Sequence, residues 1–285
     1  MLWLMACAPS ETITERRLWE AIVHLEDKNV LLVRMSQGNT GIFKGLTSLR
    51  LSKTNHQDNG VQNAPIEYVM RGTENDSLFS NDTVQIGSQT LSYSTEWNLR
   101  VRDSLHNIQA TFSNSLPSKV ALIETEDWTT DLHGLSMETT GWIQMGEYSK
   151  PLMGRALLLE HYGTKVHDKT RDMWMIEFHN GGVLLEQSDN NIDGFYSSTE
   201  DFSVPPESLL DSDTQLKWGE FTLDFGEMTP LGTIDPHAHV STVERLVSSP
   251  FYPTPTLTIG QGIVTITGPN QDYQARYLRI LRGEI

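Results

Sequence analysis

What constrains this chain most is a succession of short segments in which apolar residues recur at every second position, each closed by Gly, Asn, Asp or Pro. Val30-Leu31-Leu32-Val33-Arg34-Met35 ends at Gln37-Gly38-Asn39. Thr83-Val84-Gln85-Ile86 and Thr90-Leu91-Ser92-Tyr93 flank Gly87-Ser88, and Trp97-Asn98-Leu99-Arg100-Val101 and Asn107-Ile108-Gln109-Ala110-Thr111-Phe112 follow. The second half repeats the style in Trp142-Ile143-Gln144-Met145, Ala156-Leu157-Leu158-Leu159, Trp174-Met175-Ile176-Glu177-Phe178, Val183-Leu184-Leu185, Phe221-Thr222-Leu223-Asp224-Phe225, Thr256-Leu257-Thr258-Ile259 and Ile263-Val264-Thr265-Ile266-Thr267. Successive strand side chains point to opposite faces, so this period buries one face of a sheet. Many short strands at this spacing predict an all-β chain, built as barrels or sandwiches rather than alternating α/β units. One segment is ambiguous: Trp19, Ala21, Val23 and Leu25 alternate, yet Leu18, Ala21, Ile22 and Leu25 also fit a helical period. We favour a hairpin, because Glu26-Asp27-Lys28-Asn29 supplies a turn and the strand at 30–35 needs a neighbour.

No short repeat period is visible. With 285 residues the chain has room for one large domain or two small ones. An acidic stretch with Glu124, Glu126, Asp127 and Asp131 separates two strand-rich halves, which places the units at 11–137 and 138–285 after a short tether at 1–10. The balance of 37 acidic against 21 basic residues, a net charge of −16, makes nucleic acid and anionic membrane surfaces poor partners for the body. No run approaches the roughly 20 apolar residues that span a bilayer. The single cysteine excludes an internal disulfide framework and a multi-cysteine zinc site. That cysteine, Cys7, follows Leu4-Met5-Ala6 in the manner of a bacterial lipoprotein signal, and Ala8-Pro9-Ser10 reads as a tether. The apolar run is shorter than the usual ~7–15 residues and has no basic flank, so the expectation is a signal whose beginning lies upstream. Lipidation at Cys7 would then fix the protein to the bacterial cell envelope through a lipid anchor alone.

The segment Tyr148-Ser149-Lys150-Pro151-Leu152-Met153-Gly154-Arg155-Ala156-Leu157-Leu158-Leu159-Glu160-His161-Tyr162-Gly163 resembles the lipocalin-like AttH/CrtC family, which includes carotenoid hydratases. Trp174-Met175-Ile176-Glu177-Phe178-His179-Asn180-Gly181-Gly182 is similar to the family's later Trp strand and Gly turn, and Ser249-Pro250-Phe251-Tyr252-Pro253 to its late Tyr-Pro. Gly38-Asn39-Thr40-Gly41 and Trp97 agree with its first barrel. The chain departs from the family at Glu160, where Asp is more usual, and at Tyr162, where Trp is expected. The resemblance implies two lipocalin-like antiparallel β-barrels packed together around an apolar cavity. It also implies Glu160 and His161 as the acid/base pair, with Tyr162 and Trp174 against the ligand.

Three groups of residues carry candidate chemistry. Glu160 and His161 are strand neighbours and point to opposite faces, so a bulge would be needed to bring both into one cavity. An acid that protonates an alkene would be desolvated, with a raised pKa. Asp235-Pro236-His237-Ala238-His239 puts two histidines at i and i+2, the spacing of a shared zinc. Too little chain follows for the amidohydrolase barrel that opens on such a motif, and the third ligand, from among His133, His161 and His179, is not fixed by spacing. A loop with surface histidines is the preferred reading. Asp189-Asn190-Asn191-Ile192-Asp193-Gly194 followed by Glu200 fits the EF-hand loop expression. Asp189, Asn191, Asp193, the Phe195 carbonyl and Glu200 would hold calcium. A strand before it and Val204-Pro205-Pro206 after it leave no room for two helices, so the choice is between a calcium-binding hairpin loop and an acidic turn.

Three functions follow as expectations. The first is binding of a hydrophobic small molecule such as a lipid or isoprenoid, and it rests on the resemblance. The second is a hydratase, isomerase or cyclase that transfers a proton in the same apolar cavity. The third is a carbohydrate-binding or surface module, for which the tryptophans would have to form an exposed platform. Calcium is the one cofactor the sequence names.

Overall fold

The computed structural model describes residues 16–40, 43–56, 62–73, 76–163, 171–178, 181–188, 191–207, 214–234, 256–269 and 272–282. Cys7 and the 1–10 tether, Asp189, His179, the 235–239 histidine motif and the 249–253 segment lie outside them. The described residues are mostly strand, with a 3₁₀ turn at Glu200–Phe202. The fold is all-β, two lipocalin-like barrels.

The first sheet contains β1 (Arg16–Leu25), β2 (Val30–Thr40), β3 (Phe43–His56), β4 (Gln62–Thr73), β5 (Ser77–Phe79) and β6 (Thr83–Ile86). It continues with β7 (Gln89–Tyr93), β8 (Trp97–Arg102), β9 (His106–Ser113), β10 (Val120–Glu124), β11 (Trp128–Met145) and β12 (Tyr148–Gly163). Its order is β4-β3-β2-β1-β12-β11-β9-β8-β7-β6-β5, with β10 on β11. The second sheet contains β13 (Arg171–Phe178), β14 (Gly181–Ser188), β15 (Asn191–Ser197), β16 (Gln215–Trp218), β17 (Phe221–Phe225), β18 (Thr229–Ile234), β19 (Leu257–Thr267) and β20 (Asp272–Arg282). It is ordered β15-β14-β13-β20-β19-β17-β16, with β18 on β19. In each sheet the first strand pairs with both the second and the last, β1 with β2 and β12, β13 with β14 and β20.

β11 and β12 belong to the first sheet, so the expected boundary at 138 falls inside β11, and the first sheet ends at Gly163 and the second begins at Arg171. The acidic stretch is the approach to an internal strand pair, not a linker. The 19–25 ambiguity resolves to the β1–β2 hairpin, whose turn sets Lys28 at φ 65. Both faces of β1 are buried, which is why a helical period could be read there. Trp19, Ala21, Val23 and Leu25 face the first barrel, while Ile22 faces the second.

Three cores follow from that alternation. One lies inside the first barrel and draws on β1–β3, β6–β9, β11 and β12. The sheet curls until its far end meets its beginning: Ser77 Oγ on β5 donates to Thr47 Oγ1 on β3 at 3.0 Å. A second core fills the other barrel and is rich in aromatics, among them Trp174, Phe202, Trp218, Phe225 and Tyr277. The third lies between the barrels, where Ile22, Leu32, Leu157 and Leu159 meet Met173, Met175, Leu278 and Ile280.

Candidate active site in the first barrel

Glu160 and His161 point apart, as strand alternation requires. Glu160 shares a face with Ala156 and Leu158, which belong to the first barrel's core. His161 shares the opposite face with Leu157 and Leu159, which pack between the barrels. The two residues expected to act together therefore lie on opposite faces of β12, one toward each core.

A cross-strand row places Glu160. Leu49, Met35, Trp19, Glu160 and Asp131 are successive Cα partners across β3, β2, β1, β12 and β11, so their side chains share the barrel face. Glu160 is 1% exposed. Its Oε1 accepts from Arg17 Nε at 2.5 Å and its Oε2 bonds His133 Nε2 at 3.0 Å. Arg17 reaches on to the Phe79 carbonyl at 3.2 Å and Asn81 Oδ1 at 3.1 Å, tying β1 to the β5–β6 turn. Asp131, next in the row, is neutralised by Lys119 Nζ at 2.5 Å.

His133 sits where β11 shifts register twice, between Leu132 and Gly134 and between Gly134 and Met137. The irregularity frees its ring to lie against Trp19, centroids 4.5 Å apart, and edge-on to Trp97 at 5.4 Å. Trp19 and Trp97 are 5.0 Å apart and Tyr93 continues the wall at 5.3 Å from Trp97. The indole Nε1 of Trp19 is buried and has no hydrogen-bond partner among the described residues. Burial works to raise the Glu160 pKa, but the His133 hydrogen bond and the Arg17 guanidinium outweigh it and hold the carboxyl below its ordinary value. Glu160 is thus an anion that fixes the ring of His133, not the protonated acid expected of it. His133, which sequence reasoning could not place, is the histidine that the fold sets against Glu160.

The second barrel repeats the pattern with its charges exchanged. Trp174 on β13 faces Arg279 on β20, just as Trp19 on β1 faces Glu160 on β12. The residue two before each tryptophan completes the pair: Asp172 accepts from Arg279 Nε at 2.9 and 3.0 Å and from Nη2 at 2.5 Å. Arg279 lies 4.3 Å over the Trp174 ring, the place His133 takes over Trp19. Trp174, expected against a ligand, is packed between Arg279, Phe225 and Tyr277. The sequence does carry this signal. Arg16-x-x-Trp19-x₄-His24 recurs as Arg171-x-x-Trp174-x₄-His179, a repeat too long and too sparse for a search of short periods. Tyr162 lies on the Glu160 face, opposite Arg17, and is 37% exposed at the barrel end beneath Lys119.

His161 belongs to a buried network between the barrels. Its Nδ1 bonds Thr130 Oγ1 at 2.9 Å, its ring stacks on Trp128, and its Nε2 lies 3.6 Å from Glu20 Oε2, beyond hydrogen-bond length. Glu20 receives Arg34 Nε at 2.6 Å from its own barrel and Arg282 Nη2 at 2.7 Å from the other. Burial works to raise its pKa, but Arg34, Arg282 and His161 hold it well below its ordinary value. Nearby, His24 bridges Glu177 Oε1 at 3.1 Å and Gln261 Oε1 at 2.5 Å, and Arg276 holds the other Glu177 oxygen at 2.7 Å. These contacts join the two barrels.

Among the described residues, the expected calcium ligands Asn191, Asp193, Phe195 and Glu200 do not form a wrapped loop. Asn191, Asp193 and Phe195 lie on β15, paired with β14 apart from a bulge opposite Glu186 and Gln187, and Glu200 is exposed on the 3₁₀ turn. An extended strand spaces alternate side chains roughly 6–7 Å apart along its length instead of gathering them round one ion. Ser188 Oγ donates to Asp193, and Phe195 packs 5.6 Å from Trp218. Among the described residues no group of three or more His, Cys, Asp or Glu is placed to hold a metal.

No family profile and no curated protein matches this chain. Among solved structures it is similar to a Nitrosomonas europaea protein provisionally assigned as AttH, with a TM-score of 0.57 and 13% identity over 98% of this chain and 95% of that one. It is also similar to kievitone hydratase from Nectria haematococca, with a TM-score of 0.49 and 10% identity over 94% and 88%. The expected resemblance to AttH/CrtC-type proteins therefore holds for the fold.

Proposed function

We propose that this protein binds a hydrophobic small molecule in the first barrel and moves a proton to or from it through His133, as a hydratase or isomerase does. The observation that carries this reading is the buried Glu160–His133 pair set against Trp19 and Trp97. A carboxylate on Nε2 fixes the ring's orientation and tautomer and leaves Nδ1 to exchange the proton. The apolar core supplies affinity and excludes water, while Trp19 Nε1 offers a donor to an oxygen on the substrate. The second barrel has the same framework with Arg279 over its tryptophan where the first has His133, so the chemistry is assigned to the first barrel. The carbohydrate-platform reading loses support: Trp142 is the one exposed tryptophan among the described residues.

The test is incubation of the protein with a lipid extract of its source organism in D₂O. Time-dependent deuterium uptake, or addition of D₂O, into an extract component is expected by mass spectrometry, and His133→Ala should abolish it. Labelling that is absent, or equal with His133→Ala, refutes the proton transfer; a retained but unlabelled lipid would leave a binding protein.

Anchoring through Cys7 is a separate part of the proposal, motivated by Leu4-Met5-Ala6-Cys7. In cells expressing the full-length gene, Cys7→Ser should shift the protein from the membrane fraction to the soluble one. Unchanged membrane association would count against the anchor.

A further inference from the structure

At the other end of the first barrel sits a lysine that the proposed chemistry does not use. Lys53 on β3 is fully buried. Its Cα partners are Leu31 and Ile66, both facing the first core, so the ammonium lies inside the barrel wall. It donates to the Thr54 carbonyl at 2.9 Å and lies 3.9 Å over the Tyr148 ring. Among the described residues no carboxylate comes within 4.0 Å of it. An ammonium has three donors and a large desolvation cost, so one carbonyl and one ring face leave it undersatisfied.

The charges nearby do not cancel. Asp27 attracts Lys53 from beyond ion-pair range, but its carboxylate accepts from Tyr148 Oη at 2.8 Å and lies 3.8 Å from Lys150 Nζ. Lys150 also lies 5.4 Å from the centre of the Tyr148 ring. Among the described residues, Lys53, Lys150 and Asp27 lie against Tyr148, and burial draws the Lys53 pKa down to about 8. Among the described residues, Asp27 is the carboxylate that acts on both ammoniums.

We propose that Lys53 anchors the head of a fatty-acid-type ligand, its ammonium pairing with the carboxylate while the acyl chain runs along the core past Leu31, Leu51 and Met35 toward Trp19 and His133. Lys53 and Leu49, the latter in the Trp19–Glu160 row, are four residues apart on β3, roughly 13 Å at the rise of a strand. The head would thus be fixed about one acyl-chain length from the proton-transfer pair, and the reacting position set by that spacing. A single ammonium suits a singly charged carboxylate; phosphate heads are more often gripped by several donors or by arginine. The inference rests on the first barrel being the ligand chamber and adds the class of ligand.

Fluorescence titration of cis-parinaric acid and its methyl ester tests it, since the two share the chain and differ in the charge. The acid should bind wild type about 10-fold or more tighter than the ester. Lys53→Met should remove that preference while keeping ester affinity, and Lys53→Arg should retain part of it. Methionine fills an apolar row, so the variant should fold, which its thermal transition checks. Equal binding of acid and ester to wild type, or a preference that survives Lys53→Met, overturns the role of Lys53 and leaves the chamber standing. Failure of both probes to bind overturns the chamber and this inference together.

Discussion

Arg282→Ala should lower the unfolding free energy by about 3–5 kcal/mol, read as a reduced urea midpoint at unchanged m-value. Arg282 comes from the last strand of the second barrel and bonds Glu20 on the first strand of the first, 262 residues away. It also lies 3.8 Å from Glu186. Its removal strands negative charge among Ile22, Leu157 and Leu278, where water cannot replace it. The effect should depend on pH. The folded pKa of Glu20 lies below its ordinary 4.5, so its contribution is present above 4.5 and lost as pH falls through the folded value. The gap between variant and wild type should therefore narrow in acid, once Glu20 is protonated in both. Glu160 and Glu177 are lowered too and add to acid loss in both proteins. A gap under about 1 kcal/mol at neutral pH would show that the network is not what holds the barrels in register.

Glu160→Gln should lower turnover about 10²–10⁴-fold with little loss of stability, because the amide fills the same space but no longer balances a protonated His133. The internal repeat supplies the control. Asp172→Asn alters the equivalent ion pair of the second barrel, where Arg279 covers Trp174. It should cost stability, about 1–3 kcal/mol, and leave turnover unchanged. Deuterium uptake for activity and urea melts for stability separate the two effects. Equal loss of turnover in both variants would mean the Glu160 effect is structural. A loss confined to Asp172→Asn would move the chemistry to the second barrel.

The same pairs show what sequence reading reached. Glu160 was visible as a candidate because it stands in a motif on one strand, and alternation alone forecast that it and His161 would part company. Its true partner was not visible. His133 lies on a different strand, and its local sequence does not show which residue of β12 the pairing register sets it against. Lys53 was missed for a related reason: a lysine at the end of a strand pattern reads as solvent-facing until the neighbouring strands and Tyr148 close over it. The calcium expression matched residue by residue, but it encodes a loop, and Asn191, Asp193 and Phe195 are paired on β15.

The amino-acid sequence by itself determined that the chain is all-β, where most of its strands run and which face of each is apolar, since period-2 alternation and turn residues act locally. It also determined the net charge of −16. Only the tertiary structure decided where one barrel ends and the next begins, because β12 returns to pair with β1 across the whole first unit. It alone decided which charges meet, as with Arg17 and Glu160, 143 residues apart. Pairing across a closed barrel is set by register and curvature, which depend on every strand between the partners and leave no mark at either end of the pair.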